Sequence, residues 1–410
     1  MACDGWKERF APGRRRPLLV TATLLFAAIA VAAGLGARWR GRAERHLVGA
    51  RRALASGDPA AVSGWLAAPE ADPSTRDRAF VLRARAALAR GRPAEAAAPL
   101  ERVDPRGPHA AEAAFWKGRT LLAAHQPRLA LAWFRRCLAD RPDDVEARRW
   151  LAAAAYDLGD RATALDALAA VTRQEPRDAR AWRTLGLIRK EKGEHAHARS
   201  AYEQALEADP KQPSARLELA ECLVTLGDLG AARQQLDACK GGVPEPDRAE
   251  LLARCLLDQG DPSGARAVIV AALAAAPDHA GLLGQRAGLA QAEGHPAEAL
   301  DLLDRALQAD PHNPRWHYRR GLVLGALGRP GESRLALARA EALNKALTVL
   351  AELDDEAALR PDDPDVRCRL GRQCLLVGKP QLAASWYRAA LACDPYHPAA
   401  RLGLRALEGR

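Results

Sequence analysis

Residues 179–212 read ARAWRTLGLIRKEKGEHAHARSAYEQALEADPKQ, and this stretch decides the fold. Two runs rich in the good helix formers Ala, Leu, Arg and Glu flank Gly193, and Pro210 follows the second run. Glycine permits the positive φ angle with which a chain reverses between two helices. Proline ends the second helix because it lacks an N–H donor and clashes with the preceding turn. The stretch therefore predicts a helical hairpin.

The hairpin recurs with a period of 34 residues, shortened once to 33. A glycine marks the turn at Gly57, Gly91, Gly159, Gly193, Gly227, Gly260, Gly294 and Gly328, with His125 in the one gap. Gly378 follows only after 50 residues, so one unit carries 16 extra residues. We place units at 43–76, 77–110, 111–144, 145–178, 179–212, 213–245, 246–279, 280–313, 314–347 and 364–397. Because one hairpin leaves an apolar face exposed, neighbouring units are expected to stack into a shared core.

Unit 179–212 resembles the tetratricopeptide repeat at nearly all the positions that define that family. The matching residues are Trp182, Leu185, Gly186, Gly193, Ala198, Tyr202, Ala205, Leu206 and Pro210. Arg189 departs from the pattern, since the family prefers Tyr there. The other units keep the same register over about residues 43–397. The resemblance implies an all-α solenoid, a right-handed superhelix of about ten helical hairpins, that binds proteins and is not an enzyme.

The resemblance also implies where a partner binds. In the family, the first helix of each hairpin lines a concave groove through its second, fifth, ninth, twelfth and thirteenth positions, which we call the inner face. The inner-face residues predicted to contact a partner are Arg78, Arg85, Arg119, Arg149, Arg180, Arg183, Lys190, Arg254, Gly281, Gly284, Gly288 and Tyr318. Basic residues lead in units 77–212 and acidic residues in units 213–397. The groove is therefore either mildly polarised or a solvated face with scattered charges.

Three of these positions are glycines of a single helix, Gly281, Gly284 and Gly288. Each glycine within a helix costs roughly 0.8–1 kcal/mol relative to alanine. The glycines form either a bare strip between Arg254 and Tyr318, where a ligand backbone approaches closely, or a weak helix that the fold tolerates.

The 16 extra residues predict one long helix over about 330–359, because neither Pro nor Gly occurs between Ser333 and Leu359. Its apolar stripe consists of Ala336, Ala340, Leu343, Leu347 and Leu350. The stripe either folds against unit 364–397 or offers residues 343–350 to a partner or to a second copy of the chain. The last segment, 398–410, predicts a capping helix in which Leu402 and Leu407 cover the final repeat.

The amino terminus contains a basic tail, residues 1–16, and an uncharged run of 21 residues, 17–37. This length suits a transmembrane anchor, and it exceeds the ~7–15 apolar residues of a cleavable signal peptide, the alternative interpretation. We therefore expect a single-pass membrane protein. A short basic tail places the solenoid outside the cytoplasm, whereas cysteines without an evident pairing pattern favour a reducing compartment.

Charge and motifs exclude several classes of function. Of the net charge of +10, a share of +8 lies in residues 1–52, so the repeats carry no basic stripe for nucleic acid. The eight cysteines form no CxxC pair, and no P-loop, GxSxG or HExxH motif occurs. We therefore expect no cofactor and no metal. The predicted function is a membrane-tethered scaffold or adaptor for protein–protein interactions, and the alternative is a chaperone-like assembly factor for envelope proteins.

Overall fold

The computed structural model describes residues 38–360 and 362–408. These residues form 21 helices and no strand, which confirms the predicted all-α class. Contacts divide the chain into two compact units, Met1–Ala124 and His125–Arg410. In each unit, consecutive helices pack against one another.

The first unit, as far as it is described, contains five helices. They are α1 (38–55), α2 (Val62–Ala71), α3 (Arg76–Ala89), α4 (Pro93–Glu101) and α5 (Ala110–Ala123). Leu47 and Leu66 of the first hairpin share a buried cluster with Leu82 of α3, and Phe80 and Leu100 of the second hairpin share one with Ala113 of α5. Each hairpin thus shares apolar side chains with its neighbour, as stacked repeats require.

The second unit contains sixteen helices over its described residues. They are α6 (Pro127–Asp140), α7 (Val145–Asp157), α8 (Arg161–Gln174), α9 (Ala179–Glu191), α10 (His195–Ala208), α11 (Pro213–Thr225), α12 (Leu229–Ala238), α13 (Glu245–Asp258), α14 (Pro262–Ala275), α15 (Ala280–Ala292), α16 (Pro296–Ala309), α17 (Pro314–Ala326), α18 (Pro330–Leu359), α19 (Pro364–Leu376), α20 (Pro380–Cys393) and α21 (Pro398–Glu408). From α7 to α20, the odd-numbered helices are the first of each hairpin.

Local chemistry sets the helix ends. Asp144 and Asp178 accept hydrogen bonds from backbone N–H groups of the first turns of α7 and α9, at 2.9 and 3.0 Å. Every turn glycine of the 34-residue series has a positive φ between 70° and 81°. His125 takes the same left-handed conformation, with φ of 57°, where the series lacks glycine. The predicted turns are thereby confirmed.

Hairpin α9–α10 closes where an aromatic ring packs on a glycine. Tyr202 of α10 is fully buried, and its ring lies where a Cβ on Gly186 of α9 would come within 2.8 Å of it. The same contact joins Tyr387 of α20 to Gly371 of α19. Glycine is required here for close helix approach rather than for a special backbone conformation.

Substitution of Gly186 by Ala is expected to destabilise the protein by about 1–3 kcal/mol, because the added methyl group overlaps the buried Tyr202 ring. Gly230→Ala is the matched control, since Gly230 is also helical and nothing lies within 4 Å of its added Cβ. The control should be neutral or stabilised by up to about 1 kcal/mol through helix propensity. Urea denaturation measures both, and equal stability of the two variants would contradict the close packing.

The second unit also joins its early helices to its late ones. The Trp386 ring of α20 is buried and lies at the turn formed by Gly159, where an added Cβ would be 1.8 Å from a ring carbon. Beside this contact, the Arg161 guanidinium of α8 pairs with the Asp354 carboxylate of α18. The repeats of this unit therefore close on themselves instead of ending free.

A third contact reinforces this closure. Arg128 of α6 forms an ion pair with Asp362 at 3.1 Å. It also donates a hydrogen bond to the carbonyl oxygen of Cys393 at 3.5 Å. Helix α6, the first of the unit, is thus linked by charge to the segment before α19 and by a hydrogen bond to the end of α20.

Substitutions at three turn glycines measure how much the Trp386 contact contributes to stability. Gly159, Gly193 and Gly227 have φ of 73°, 74° and 81°, but an added Cβ meets nothing within 4 Å at the last two. Alanine at any of these positions should lower the free energy of unfolding by about 1–2 kcal/mol, because a residue with a Cβ is strained in the left-handed conformation. We expect Gly159→Ala to lose about 1–3 kcal/mol more, since its Cβ overlaps the Trp386 ring. Denaturation of the three variants side by side measures the difference, and equal losses would mean that the closure contributes nothing.

The longest helix, α18, runs unbroken through the 16 extra residues. It packs on α19, and Gln373 of α19 donates to the carbonyl oxygen of Ala346 at 2.8 Å. The buried face continues from Leu343 through Leu353, not through Leu347, which is 37% exposed. The predicted stripe is therefore wrong at Leu347, whereas Leu350 is half-buried, because a straight helix turns its 4-3 stripe gradually away from the neighbour.

The terminal helix α21 corrects a second detail. Leu402, predicted to cover the final repeat, is 71% exposed. Ala400 is buried instead, and Gly403 lies against the Tyr387 ring, where an added Cβ would be 2.5 Å from it. Small residues of α21 pack here because the large Tyr387 ring already fills the space between α20 and α21.

Within residues 38–360 and 362–408, we find no helix that combines the length and the apolar character needed to cross a membrane. Helix α18 has the length but carries Glu332, Arg339 and Lys345. This finding contradicts the predicted single-pass membrane localisation, which is not retained. The predicted anchor, residues 17–37, and the basic tail, residues 1–16, lie outside the described residues.

Candidate functional site

The predicted inner-face residues of the first unit are engaged with their neighbours. Arg78 of α3 pairs with Glu44 of α1. Arg85 of α3 and Arg119 of α5 both lie over the Trp116 ring, 5.0 and 5.4 Å from its centre. The cations of α3 and α5 thus share one aromatic ring, an arrangement that stabilises guanidinium groups.

In the second unit, basic inner-face residues pair with acids of the following repeat. Arg183 of α9 makes a bidentate pair with Glu218 of α11, with N–O distances of 2.8 and 3.1 Å. Two turns further along α9, the Lys190 ammonium lies 2.8 Å from Glu221. We call this series of charge pairs between neighbouring first helices the ladder.

Arg149 of α7 precedes the ladder and pairs with acids of its own unit. Its guanidinium reaches Glu146 at 2.9 Å and Asp178 at 2.7 Å, and it also pairs with Glu175. Burial opposes its charge, but the hydrogen bonds that Arg149 donates to Asp178 and Glu146 outweigh burial and raise the pKa of Arg149. This guanidinium is therefore already neutralised within the protein.

Two further predicted cations, Arg180 and Arg254, lie outside the ladder. Arg180 of α9 is exposed, and its side chain has no ion-pair partner in the part of the chain that the structure describes. Arg254 of α13 approaches Asp258 of its own helix at 3.8 Å. The ladder therefore leaves Arg180 available to a ligand.

The glycine strip of α15 is covered, not bare. It comprises Gly281, Gly284 and Gly288. An added Cβ at these positions would meet, in order, the Glu250 carboxylate, the Trp316 ring and the Arg319 guanidinium, at 2.1, 2.5 and 2.2 Å. Of the two interpretations of the glycines, the bare strip is wrong, because side chains of α13 and α17 converge on the space that the glycines leave. The glycines permit the close packing of three neighbouring first helices.

Helix α17 presents two large exposed apolar side chains on the inner face. Tyr318 is 54% exposed, and Leu322, one turn later, is 44% exposed. Trp316 is buried beneath them, and Arg319 donates a hydrogen bond to the carbonyl oxygen of Gly284 at 2.9 Å. Burial lowers the pKa of Arg319, and the nearby charge of Arg315 lowers it further.

Sequence reasoning missed Glu218, Trp316 and Arg319, because none stands at the five inner-face positions. A signal for Glu218 exists, since an acid follows Arg183 after 35 residues, about one repeat. A buried aromatic on α17 facing a glycine of α15 has no comparable signal in the sequence.

The chemistry of an enzyme is not evident in the described residues. No group of three or more His, Cys, Asp or Glu side chains there is placed to hold a metal ion. Burial raises the pKa of Cys222 and of Cys255 to about 11, so both remain protonated thiols near neutral pH.

Two sequence models of the tetratricopeptide repeat match the chain. One covers residues 121–188, 190–241 and 290–346, and the other covers 81–145 and 250–314, so together they match more than half of it. The chain therefore belongs to the tetratricopeptide-repeat family, whose members generally mediate protein–protein interactions and whose fold is typically non-enzymatic. A comparison with curated proteins finds no match.

Solved structures with a similar fold share little sequence with the chain. A tetratricopeptide-repeat protein from Parabacteroides merdae is 17% identical, with a TM-score of 0.44, over 60% of this chain and 98% of its own. The pilF protein of Pseudomonas aeruginosa is 22% identical, with a TM-score of 0.43, over 52% and 97%. One chain of the APC/C hetero-tetramer Cut9–Hcn1 is 16% identical, with a TM-score of 0.42, over 82% of this chain and 64% of its own. These likenesses concern the fold alone.

A double-mutant cycle on Arg183→Gln and Glu218→Gln should give a coupling of about 0.5–1 kcal/mol, and high salt should reduce it. The control cycle on Arg254 and Asp258, which are 3.8 Å apart in one helix, should give about 0.3 kcal/mol or less. Thermal or urea unfolding measures both cycles. A coupling for Arg183 and Glu218 no larger than the control would show that the ladder does not hold neighbouring repeats together.

Proposed function

We propose that this chain is a scaffold that binds segments of partner proteins along the inner face of its first helices. The family assignment supports a protein-binding role, and the exposed Tyr318 and Leu322 of α17 are the observation that carries the choice of surface. Large apolar side chains exposed together on one helix commonly mark an interaction site. The chain binds its partners without modifying them.

The ladder supports this proposal in a second way. Because Arg183 and Lys190 are held by Glu218 and Glu221, the repeats keep a fixed spacing without a ligand. A partner then binds a surface that is already ordered, so less affinity is lost to ordering side chains.

Site-specific photo-cross-linking of the full chain in its own cells tests the proposal. A cross-linking residue is placed at Arg180 of α9 or at Leu322 of α17, both exposed on the inner face. Matched controls are Arg173 of α8 and Leu335 of α18, which are exposed on second helices. We expect discrete, stoichiometric protein adducts from the inner-face positions and few from the controls.

Three outcomes would contradict the proposal. They are adducts in equal yield from second-helix positions, the absence of any adduct, and a broad set of substoichiometric clients. The last would instead indicate a chaperone-like assembly factor.

A further inference from the structure

Helix α17 carries two arginines that stand apart from the ladder. Arg315 and Arg319 are one turn apart, and their guanidinium carbons lie 5.3 and 5.9 Å from the centre of the Trp316 ring. Arg319 also donates to the carbonyl oxygen of Gly284. Within residues 38–360 and 362–408, neither arginine has a carboxylate at ion-pair distance.

The next repeat differs from the one that completes the ladder. Glu218 and Glu221, which complete the ladder for α9, stand at the sixth and ninth positions of their unit. In unit 364–397 these positions are Arg369 and Arg372. Arg369 instead pairs with Glu356 of α18 at 3.0 Å. The repeat after α17 therefore supplies no acid at either position.

The acid on the other side does not reach them. Glu250 of α13 lies over Gly281 of the covered strip, and a ring nitrogen of His279 lies 4.0 Å from its carboxylate. Arg315 acts on Glu250 only at longer range. The two arginines of α17 thus repel each other, and partial burial of Arg319 adds to the cost of its charge.

Exposed apolar groups continue from this cationic pair along the same face. Tyr318 and Leu322 follow Arg315 at intervals of three and four residues, so all three side chains project from one side of α17. The face combines two charges that need an anion with an apolar strip that remains exposed.

We propose that this face of α17 binds a partner segment in which an acidic residue is followed by apolar side chains. The carboxylate pairs with Arg315 and Arg319, and the apolar side chains cover Tyr318 and Leu322. This inference rests on the proposed function and adds the chemistry of the partner. An acidic–apolar segment supplies both the missing counter-charge and the missing cover.

The test uses the full chain and three fluorescein-labelled peptides of equal length as probes. One peptide is built from Glu and Leu, one from Lys and Leu, and one from Glu and Ser. Fluorescence anisotropy should show the tightest binding for the Glu/Leu peptide and weaker binding at high salt. Equal binding of the Lys/Leu peptide would overturn the acidic part of the inference, and equal binding of the Glu/Ser peptide would overturn the apolar part.

Variants locate the site. Arg315→Gln, which removes an exposed charge, should weaken binding of the Glu/Leu peptide about tenfold, and Arg319→Gln by a similar factor. Arg305→Gln on the second helix α16 removes the same charge elsewhere and should leave the affinity unchanged. Circular dichroism checks that each variant is folded. Unchanged affinity in Arg315→Gln would overturn the inference even if Arg319→Gln fails to fold.

The two proposals fail differently. One possible result is that partners cross-link at Arg180 but not at Leu322, and that the α17 variants do not change peptide binding. This result would support the scaffold and contradict the proposed site on α17. The absence of partners at every inner-face position would remove the scaffold, whatever the peptides do.

Discussion

In the second unit, aromatic rings repeatedly occupy the space left by a glycine of another helix. Tyr202 packs on Gly186 and Tyr387 on Gly371, each pair closing its own hairpin. Both glycines lie within helices and stand 16 residues before the ring. A methyl group at either position would overlap a buried ring, so the spacing of the two helices depends on the missing Cβ. Dense packing makes such contacts sensitive to a single carbon atom.

The same contact also operates between repeats. The Trp316 ring covers Gly284 of the preceding first helix, and the Trp386 ring meets the turn at Gly159, six hairpins away along the chain. Because packing fixes the helices at a short, regular distance, opposite charges about one repeat apart come within hydrogen-bond reach. The ladder is a consequence of this packing. Arg315 and Arg319 of α17 have no such partners, and the repeat after them carries Arg369 and Arg372 at the positions of Glu218 and Glu221.

The sequence alone was sufficient to predict the structural features that recur from repeat to repeat. The turn glycines and His125 predicted the left-handed positions, because only a few conformations reverse a chain between two helices. The features that it did not predict depend on distant or non-repeating contacts. Arg161 and Asp354 are 193 residues apart, and Arg128 and Cys393 are 265 apart, so no periodic pattern relates them. The glycine strip looked open because its covering side chains come from two other helices.

Part of the candidate site was predictable for the same reason. Arg183 and Lys190 were assigned to the inner face by register, but register does not reveal that their charges are already paired. Whether a cation is available depends on the acid one repeat later, and that acid need not occupy an inner-face position.

The claim that ring-on-glycine packing closes the second unit is tested most directly by an intramolecular distance. Spin labels on two exposed residues, Arg173 of α8 and Arg388 of α20, report the separation of the early and late helices. Double electron–electron resonance should give one narrow distance distribution in the otherwise native chain. Trp386→Ala should broaden it and move it to longer distances. A broad distribution before the tryptophan is removed, or one that its removal leaves unchanged, would contradict the account.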